Sequence, residues 1–590
     1  MGRWVFFPSV LILTFSFLLV SASVQVRGAE QVSLPLGAVQ PAKSVPSGQE
    51  FFKGATFVGA ETCKKCHLKQ YEQWSRTWHS KMERWASLET VVGDFNNVTR
   101  TYKNLEVDSI KGGKERITGN IKLSTDGKNY FFTLLDQDDE KNNQTYQVVK
   151  ALGGKWDQHY ETKVGENFYP TPMRWSVLDK EWLTGGYRPG DWFLGDGTPD
   201  GVPRRPEQLK KDRAAEAKCA MCHMTGYTPE FDKEKKQWKG PGRAELGIAC
   251  EKCHGPGSLH VKEIQDAEAA GQKASTVRPA KIIHPLKDLN TLQQIQICTQ
   301  CHGRNTNKKE KDLAFQVGFL PGDTNIQDLI AFWSYSGDPN PDHTRYFWPN
   351  DWAKRNRQQW QDFQKSTHFT KAGLTCLTCH TFHGEWFENQ LRLSRDKLCV
   401  ECHAVQGLAK RPNQEMFAGT PMAKAGVTCV DCHMPKIGYR TTATASNPQH
   451  WDTTSHTFMV ATPELTLQYG VRSSCENCHT QGQLKGTELV LVPASANAIL
   501  KSRQAHIRGL VDKTQRAMKE AESALASAKA AKGKPKPVET AEGKLARASA
   551  NVNFILLDGS MGFHNLPKAE ALLKEAETLA VEAKKSLEGR

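Results

Sequence analysis

Sixteen cysteines occur in this 590-residue chain, and each belongs to a Cys-x-x-Cys-His triplet. The eight triplets are Cys63/Cys66/His67, Cys219/Cys222/His223, Cys250/Cys253/His254, Cys298/Cys301/His302, Cys376/Cys379/His380, Cys399/Cys402/His403, Cys429/Cys432/His433 and Cys475/Cys478/His479. Two thiols at this spacing can form thioethers to the vinyl groups of one porphyrin while the adjoining histidine binds its iron, which is covalent c-type haem attachment. Zinc ribbons also pair cysteines this way, but they need no histidine after every second cysteine. A disulfide framework requires an even cysteine count and no fixed triplet. Eight pairs of eight ending in Cys-His, with no cysteine left over, argue against both and predict eight covalently attached haems.

The rest of the composition fits that chemistry. Only 38% of the residues are apolar, too few for the three or four ordinary domains that this length suggests. Porphyrins would supply the missing apolar volume. The expected fold is mainly α, a multihaem cytochrome c fold with a haem-packed core, a β-rich N-terminal insert and a C-terminal long-helix hairpin. The formal charge of +14 leaves out the haem propionates. Lysine and arginine are scattered without a single basic stripe, so nucleic-acid binding is not expected.

Each iron also needs something on its second face. Eight of the 19 histidines are proximal, and eleven remain, so the count alone forces no open iron. His79 follows His67 closely enough to reach an iron, His260 follows His254 by six positions, His284 precedes the fourth motif, His368 precedes the fifth, and His383 follows His380 by three. His450 and His456 trail the seventh motif. Of these, His79, His260, His284, His368, His383 and His456 are taken as distal ligands. His159 reads equally as structural or functional, and His506, beside the apolar face of a helix, could point inward to an iron.

Residues 1–29 have the form of an export signal, with Arg3 preceding an apolar run from Trp4 to Val20 and then Ser21-Ala22-Ser23. The alternative is a retained anchor. Export suits the chemistry and places the protein at a periplasmic or extracellular face. A linker follows at 30–57, then a first haem segment at 58–87. Residues 88–207 contain no cysteine and alternate in strand-like fashion around Gly112-Gly113 and Asp126-Gly127, predicting the β-rich insert. The haem core with motifs 2–8 is expected at 208–490. Residues 491–590 are rich in Ala, Lys, Glu and Leu at helical spacing, and such a helical pair could join copies of the chain.

The Cys250-to-His260 run, the Val427-to-Pro435 run with its Cys-His-Met-Pro, and Ser560-Met561-Gly562-Phe563-His564-Asn565 resemble motifs of the octahaem cytochrome superfamily. That group contains hydroxylamine oxidoreductases, octahaem nitrite and tetrathionate reductases, and the related pentahaem nitrite reductases. The resemblance implies that motif 4 holds the catalytic haem, that Asp342 and His343 form its distal proton-relaying pair, and that His564 caps the iron of motif 7. Tyr335, Tyr346, Arg304 and Arg345 would add donors for a bound anion. Two features depart from the group. Motif 4 has His302 where the reductases carry a lysine, and no tyrosine follows Tyr469 to make the cross-link of the hydroxylamine oxidoreductases. A third is that Met422 stands near the place of a distal histidine.

Two functions are therefore expected. One is an exported octahaem oxidoreductase acting on a small nitrogen or sulfur oxyanion at haem 4, fed by the other haems. The other is a non-catalytic electron carrier linking a quinol-side donor to a periplasmic or extracellular acceptor, with other redox proteins as partners. The motif count is checked by a pyridine haemochrome assay. It should return eight haems per chain, and seven in a Cys298→Ala/Cys301→Ala variant.

Overall fold

The computed structural model describes residues 47–588 except 185–188, 236, 240–244, 279, 310–312, 315, 324–325, 335–342, 385–386, 441–449, 480–491 and 532–534. The export signal, Asp342 and Tyr335 lie outside the described residues. Among the described residues no helix is long and apolar enough to cross a membrane.

The insert forms one ten-stranded sheet: β1 (Glu83–Trp85), β2 (Val98–Ser109), β3 (Lys114–Thr125), β4 (Tyr130–Leu135), β5 (Gln144–Gly153), β6 (Asp157–Val164), β7 (Asn167–Ser176), β8 (Glu181–Thr184), β9 (Phe193–Gly195) and β10 (Val202–Pro203). Its order is β10-β9-β2-β3-β4-β5-β6-β7-β8, with β1 joined to β5. Period-2 alternation creates its inner face. Ile117, Ile121 and Leu123 of β3 and Tyr130, Phe132 and Leu134 of β4 point inward, where they meet Ala151, Tyr160, Met173, Trp192 and Phe193. This sheet has a large hydrophobic core of its own, so the fold is only in part mainly α. The predicted boundary at residue 88 also cuts off β1, which the sheet includes.

The outer face of β1, β5, β6 and β7 is different. Register pairs Glu83 with Leu152, Leu152 with His159, and His159 with Arg174. Lys150 and Glu161 pair in the neighbouring row. Directly opposed residues share a face, so polar and charged side chains line the side of the sheet opposite Ala151 and Tyr160.

Most haem motifs occupy short helices. One is helix α1 (Thr291–His302), opened by a capping box in which Asn290 Oδ1 accepts from Gln293 N at 2.9 Å. The amide of His67, His380, His403 and His479 donates to the carbonyl of the first cysteine of its motif at 2.8, 2.9, 2.8 and 2.8 Å. That single helical turn brings the imidazole round to the side of both sulfurs. Gly255 must be glycine: its φ is +84°, and a Cβ there would lie 2.0 Å from Phe52 Cζ. The chain can thus turn away directly after His254.

The C-terminal region corrects the expected hairpin. It has three helices, α2 (Pro493–Ala530), α3 (Pro535–Asp558) and α4 (Leu566–Glu588). Left-handed residues at Gly559 (φ 74°) and Met561 (φ 50°) reverse the chain between α3 and α4. Ile507, Val511 and Met518 interlock with Leu545, Val552 and Ile555, while Ala569, Ala576, Ala580 and Ala583 let α4 approach closely. His506 lies on the outside, with Nε2 2.8 Å from Glu570 Oε1 and about half its side chain exposed, so it does not point inward to an iron.

The independent core of the insert has a measurable consequence. Phe193 is fully buried, and Phe193→Ala should destabilise the insert by about 3–5 kcal/mol, read as a lower urea midpoint for intrinsic tryptophan fluorescence with the haem count unchanged.

Candidate haem centres and active site

Two imidazoles sharing one iron have ring centres about 6.2 Å apart, given bonds of roughly 2 Å on each side and about 1.1 Å from nitrogen to ring centre. The structure holds five proximal histidines at that spacing from another imidazole. His67 faces His260 at 6.3 Å, His302 faces His79 at 6.1 Å, His403 faces His368 at 5.9 Å and His433 faces His564 at 6.1 Å. His254 has two such neighbours, His383 stacked at 6.1 Å and His284 edge-on at 6.3 Å. These are the separations at which two rings bracket an iron, so the residues present fit the haems that the motifs imply. No group of three or more His, Cys, Asp or Glu converges as a metal site among the described residues, and the cysteines form no disulfides. His564 lies opposite His433, the motif-7 histidine.

The second ring nitrogen orients most of these imidazoles. Nδ1 of His254, His380 and His223 donates to the carbonyls of Ile283, Asn389 and Met82 at 2.7, 3.1 and 3.3 Å. His403 Nδ1 lies 3.0 Å from Asn413 Oδ1 and His302 Nδ1 3.3 Å from Gln359 Oε1. A carbonyl oxygen can only accept, so Nδ1 carries the hydrogen and Nε2 keeps its lone pair for iron. His564 Nδ1 is 2.6 Å from Asp558 Oδ1, an anchor that also enriches the ring. Burial pushes His79, His223, His254, His368 and His456 down to about 4. They stay neutral, and therefore ligating, at any ordinary pH.

Contacts between thiols give the order of the motifs in space. Cys63 meets Cys250, Cys222 meets Cys301, Cys298 meets Cys376 and Cys399 meets Cys429. Weaker electrostatic contacts join Cys253 to Cys301, Cys379 to Cys402, and Cys432 to Cys475 and Cys478. The motifs follow the path 1-3-4-5-6-7-8, with motif 2 attached as a spur at motif 4. Glu251 pins motif 1 onto motif 3, accepting from the amides of Val58, Gly59 and Gly257 at 2.9, 2.8 and 2.7 Å.

Cys66 differs from the other attachment cysteines in its exposure. The other fifteen cysteines are buried or half-buried, whereas Cys66 is exposed. The physical reason is its place on the path. Motif 1 is a terminus with motif 3 on one side only, so Cys63 turns inward to Cys250 while the segment from Lys65 to Gln70, which includes Cys66, faces solvent. The thioether expected at Cys66 therefore belongs to the edge of the molecule.

The arrangement also bears on motif 4, which the resemblance makes the catalytic haem. Motif 4, predicted to hold the open iron, has His79 opposite His302, so its iron is provided with two imidazoles. The backbone of His343 begins a short helix, His343–Tyr346. Nearby, the Arg304 guanidinium lies 4.3 Å from the Tyr346 ring centre and 5.4 Å from that of Trp333. Burial and the adjacent Arg357 hold Arg304 down at about 9, and its buried Nε has no hydrogen-bond partner. A positive wall of this kind suits a carboxylate such as a haem propionate. His380 has no imidazole stacked against it among the described residues, but it lies within electrostatic reach of His456, whose Nδ1 is 3.2 Å from Thr454 O.

Motif 2 shares with motif 5 the lack of a facing imidazole among the described residues. His223 is half-buried and anchored at Met82, and no imidazole lies at pairing distance from its ring among the described residues. What lies within electrostatic reach of it is Arg357, His159 and Lys150. His159 Nε2 stands 3.5 Å from Asp157 Oδ2, and Arg174 Nη1 donates to the same oxygen at 2.5 Å. Burial opposes its charge, yet the half-buried Asp157 is held well below the usual carboxylate range, chiefly by His159 and Arg174. An acid-histidine pair is thus present, on β6 beside motif 2. Sequence reasoning left His159 undecided. The missed signal was the Asp157-x-His159-x-Glu161 alternation, which places three ionisable groups on one face of a strand.

Fold, paired imidazoles and attachment motifs define a multihaem c-type cytochrome. Residues 402–589 match the cytochrome c552 family, 368–407 the doubled CXXCH motif, and 62–109 with 203–255 the family of cytochrome c554 and c-prime. The chain is 25% identical over 228 residues to the dissimilatory sulfite reductase MccA of Wolinella succinogenes, a match covering 34% of this chain and 30% of that protein. The solved Outer Cell Wall Cytochrome OcwA is similar over 89% of this chain and 99% of its own, with a TM-score of 0.57 and 22% identity. The octahaem sulfite reductase MccA of Wolinella succinogenes, form II, matches with a TM-score of 0.42 and 13% identity over 93% of this chain and 86% of its own.

The pairing gives a direct test. His79→Ala should add a high-spin ferric signal in electron paramagnetic resonance while eight haems remain attached. An unchanged low-spin spectrum would show that His79 is not the second ligand at motif 4.

Proposed function

We propose that the chain is an exported octahaem oxidoreductase that reduces a small nitrogen or sulfur oxyanion at the haem of motif 2. The observation that carries this reading is His223, a half-buried and oriented proximal histidine with Arg357, His159 and Lys150 within electrostatic reach, where five other motifs have a facing imidazole. An anion bound there would find positive charge from Arg357. His159, held by Asp157, would supply protons as bonds to oxygen break. The haem, when bound, supplies the electrons and the binding position. The path 1-3-4-5-6-7-8 would deliver electrons through motif 4 to the spur. The match to a sulfite reductase supports a sulfur or nitrogen oxyanion as substrate class.

A second reading is electron transfer alone, between a quinol-side donor and a periplasmic or extracellular acceptor. It is supported by the five imidazole pairs and by the fold shared with an outer cell wall cytochrome.

The two readings separate in the resonance spectrum of the oxidised protein with sulfite, nitrite and hydroxylamine. A high-spin signal that changes on adding one of them supports the enzyme. His159→Ala should then lower turnover of that substrate by about 10²–10⁴-fold, the usual contribution of a positioned proton donor, with the signal still responding. Low-spin signals unmoved by all three leave the electron carrier.

A further inference from the structure

The outer face of the sheet carries a charged cluster around Lys150 whose carboxyl groups have no part in the reaction above. Lys150 Nζ lies 2.6 Å from Glu83 Oε1 and 3.4 Å from Glu161 Oε2, and the three side chains are only 3%, 2% and 1% exposed. The Phe168 ring covers the ammonium at 3.6 Å. A third buried carboxyl, Glu216, comes from the short helix Ala215–Lys218 that leads into Cys219 of motif 2. It accepts from Phe168 N at 3.1 Å and is within electrostatic reach of Glu161 and Lys150.

Two carboxyl groups therefore hold one ammonium in a water-poor pocket, with a third within electrostatic reach. Two uncompensated carboxylates there would cost far more than holding protons. Burial accordingly raises Glu83 to about 8 and Glu216 to about 7, and it raises Glu161 as well. For Lys150, burial opposes the charge, but the two carboxylates outweigh it and push the ammonium up. Glu161 Oε1 is buried without a hydrogen-bond partner and Oε2 has only the long contact to Lys150, leaving a place for a proton. The other ionisable groups facing the cluster are His159, with Asp157, Arg174, Arg440 and Asp452 behind it, and His223 and Arg357 from the motif-2 side.

We propose that Glu83, Glu161 and Glu216, grouped around Lys150, form a proton-loading site for the haem of motif 2. The cluster takes one proton from solvent onto a carboxylate when the iron beside it gains one electron, so the net charge of the pocket stays constant. In the protein that electron comes from the haem of motif 4; in a titration it comes from a poised low-potential mediator. Added negative charge at the iron makes a nearby carboxyl hold its proton more tightly in a low-dielectric interior, and by linkage the proton makes the iron easier to reduce. The stored proton would then be available to the reaction at motif 2, a last step that rests on the reading of that site proposed above.

The test is a redox titration of the intact holoprotein between pH 7 and 9, followed by electron paramagnetic resonance, with the motif-2 signal assigned as the one altered by His223→Met. One proton per electron predicts a tenfold change in the equilibrium per pH unit, which is about 59 mV for a one-electron couple, with the potential falling as pH rises. Glu83→Gln/Glu161→Gln leaves Lys150 balanced by Glu216 alone and should flatten that dependence with eight haems retained. Should the double variant not accumulate, Glu161→Gln alone should reduce the slope. A flat wild-type profile, or one that the substitutions leave unchanged, overturns the proposal. A motif-2 iron that is low-spin and unmoved by sulfite, nitrite or hydroxylamine would sink the active-site reading while the slope could still be measured.

Discussion

The constraint on which this structure depends is the distance between two imidazoles that share an iron. An error of about 1 Å at either ring would break the bond, and the histidines that must meet come from distant parts of the sequence. His79 and His302 are held 6.1 Å apart although 223 positions separate them. His433 and His564 are held equally close across 131 positions. The rest of the chain can be understood as the means of fixing these separations. Helical turns present the proximal rings, carbonyl acceptors lock their tautomers, and Glu251, Gly255 and the Gly559 reversal set the approach of neighbouring segments.

A core built this way divides the labour unevenly. The described residues of the haem region contribute small apolar clusters, such as that of Phe52, Ile283, Ile326 and Ile330, because porphyrins are needed to complete it. The sheet and the three-helix bundle have full cores of their own and stand as rigid walls. Each wall contributes to the chemistry at its edge. The bundle supplies His564, oriented by the buried Asp558, and the sheet supplies Met82, His159 and the Lys150 cluster beside motif 2. An insert that reads as a cover in the sequence is thereby part of the environment of an iron.

Under the proposed function, the spur arrangement would separate electron traffic from chemistry. Motifs with two imidazoles suit electron transfer, since a six-coordinate iron changes little on reduction. Motif 2 lies off the main path with Arg357 and His159 within electrostatic reach and buried carboxyls nearby, which is the charge that the proposed binding and protonation of an anion would need. Charge and solvation at motif 2 are set by the sheet, while those along the path are set by neighbouring haem motifs.

The sequence by itself determined the attachment chemistry, because Cys-x-x-Cys-His is local: one helical turn decides that two sulfurs and an imidazole meet the same porphyrin. It also determined the strand alternation of the insert, the helical C-terminal region and the set from which distal ligands are drawn, for the same reason of short range. Only the tertiary structure decided which imidazole faces which, since such pairing depends on how remote segments pack and not on spacing along the chain. This is why His79 and His302 meet at motif 4, why Cys66 and His506 end on the surface, and why His159, indistinguishable in sequence from a structural histidine, lies beside motif 2. The Lys150 cluster belongs to the same class. Its members are separated by up to 133 positions, and only strand register and the packing of the helix before Cys219 bring three acids to one ammonium.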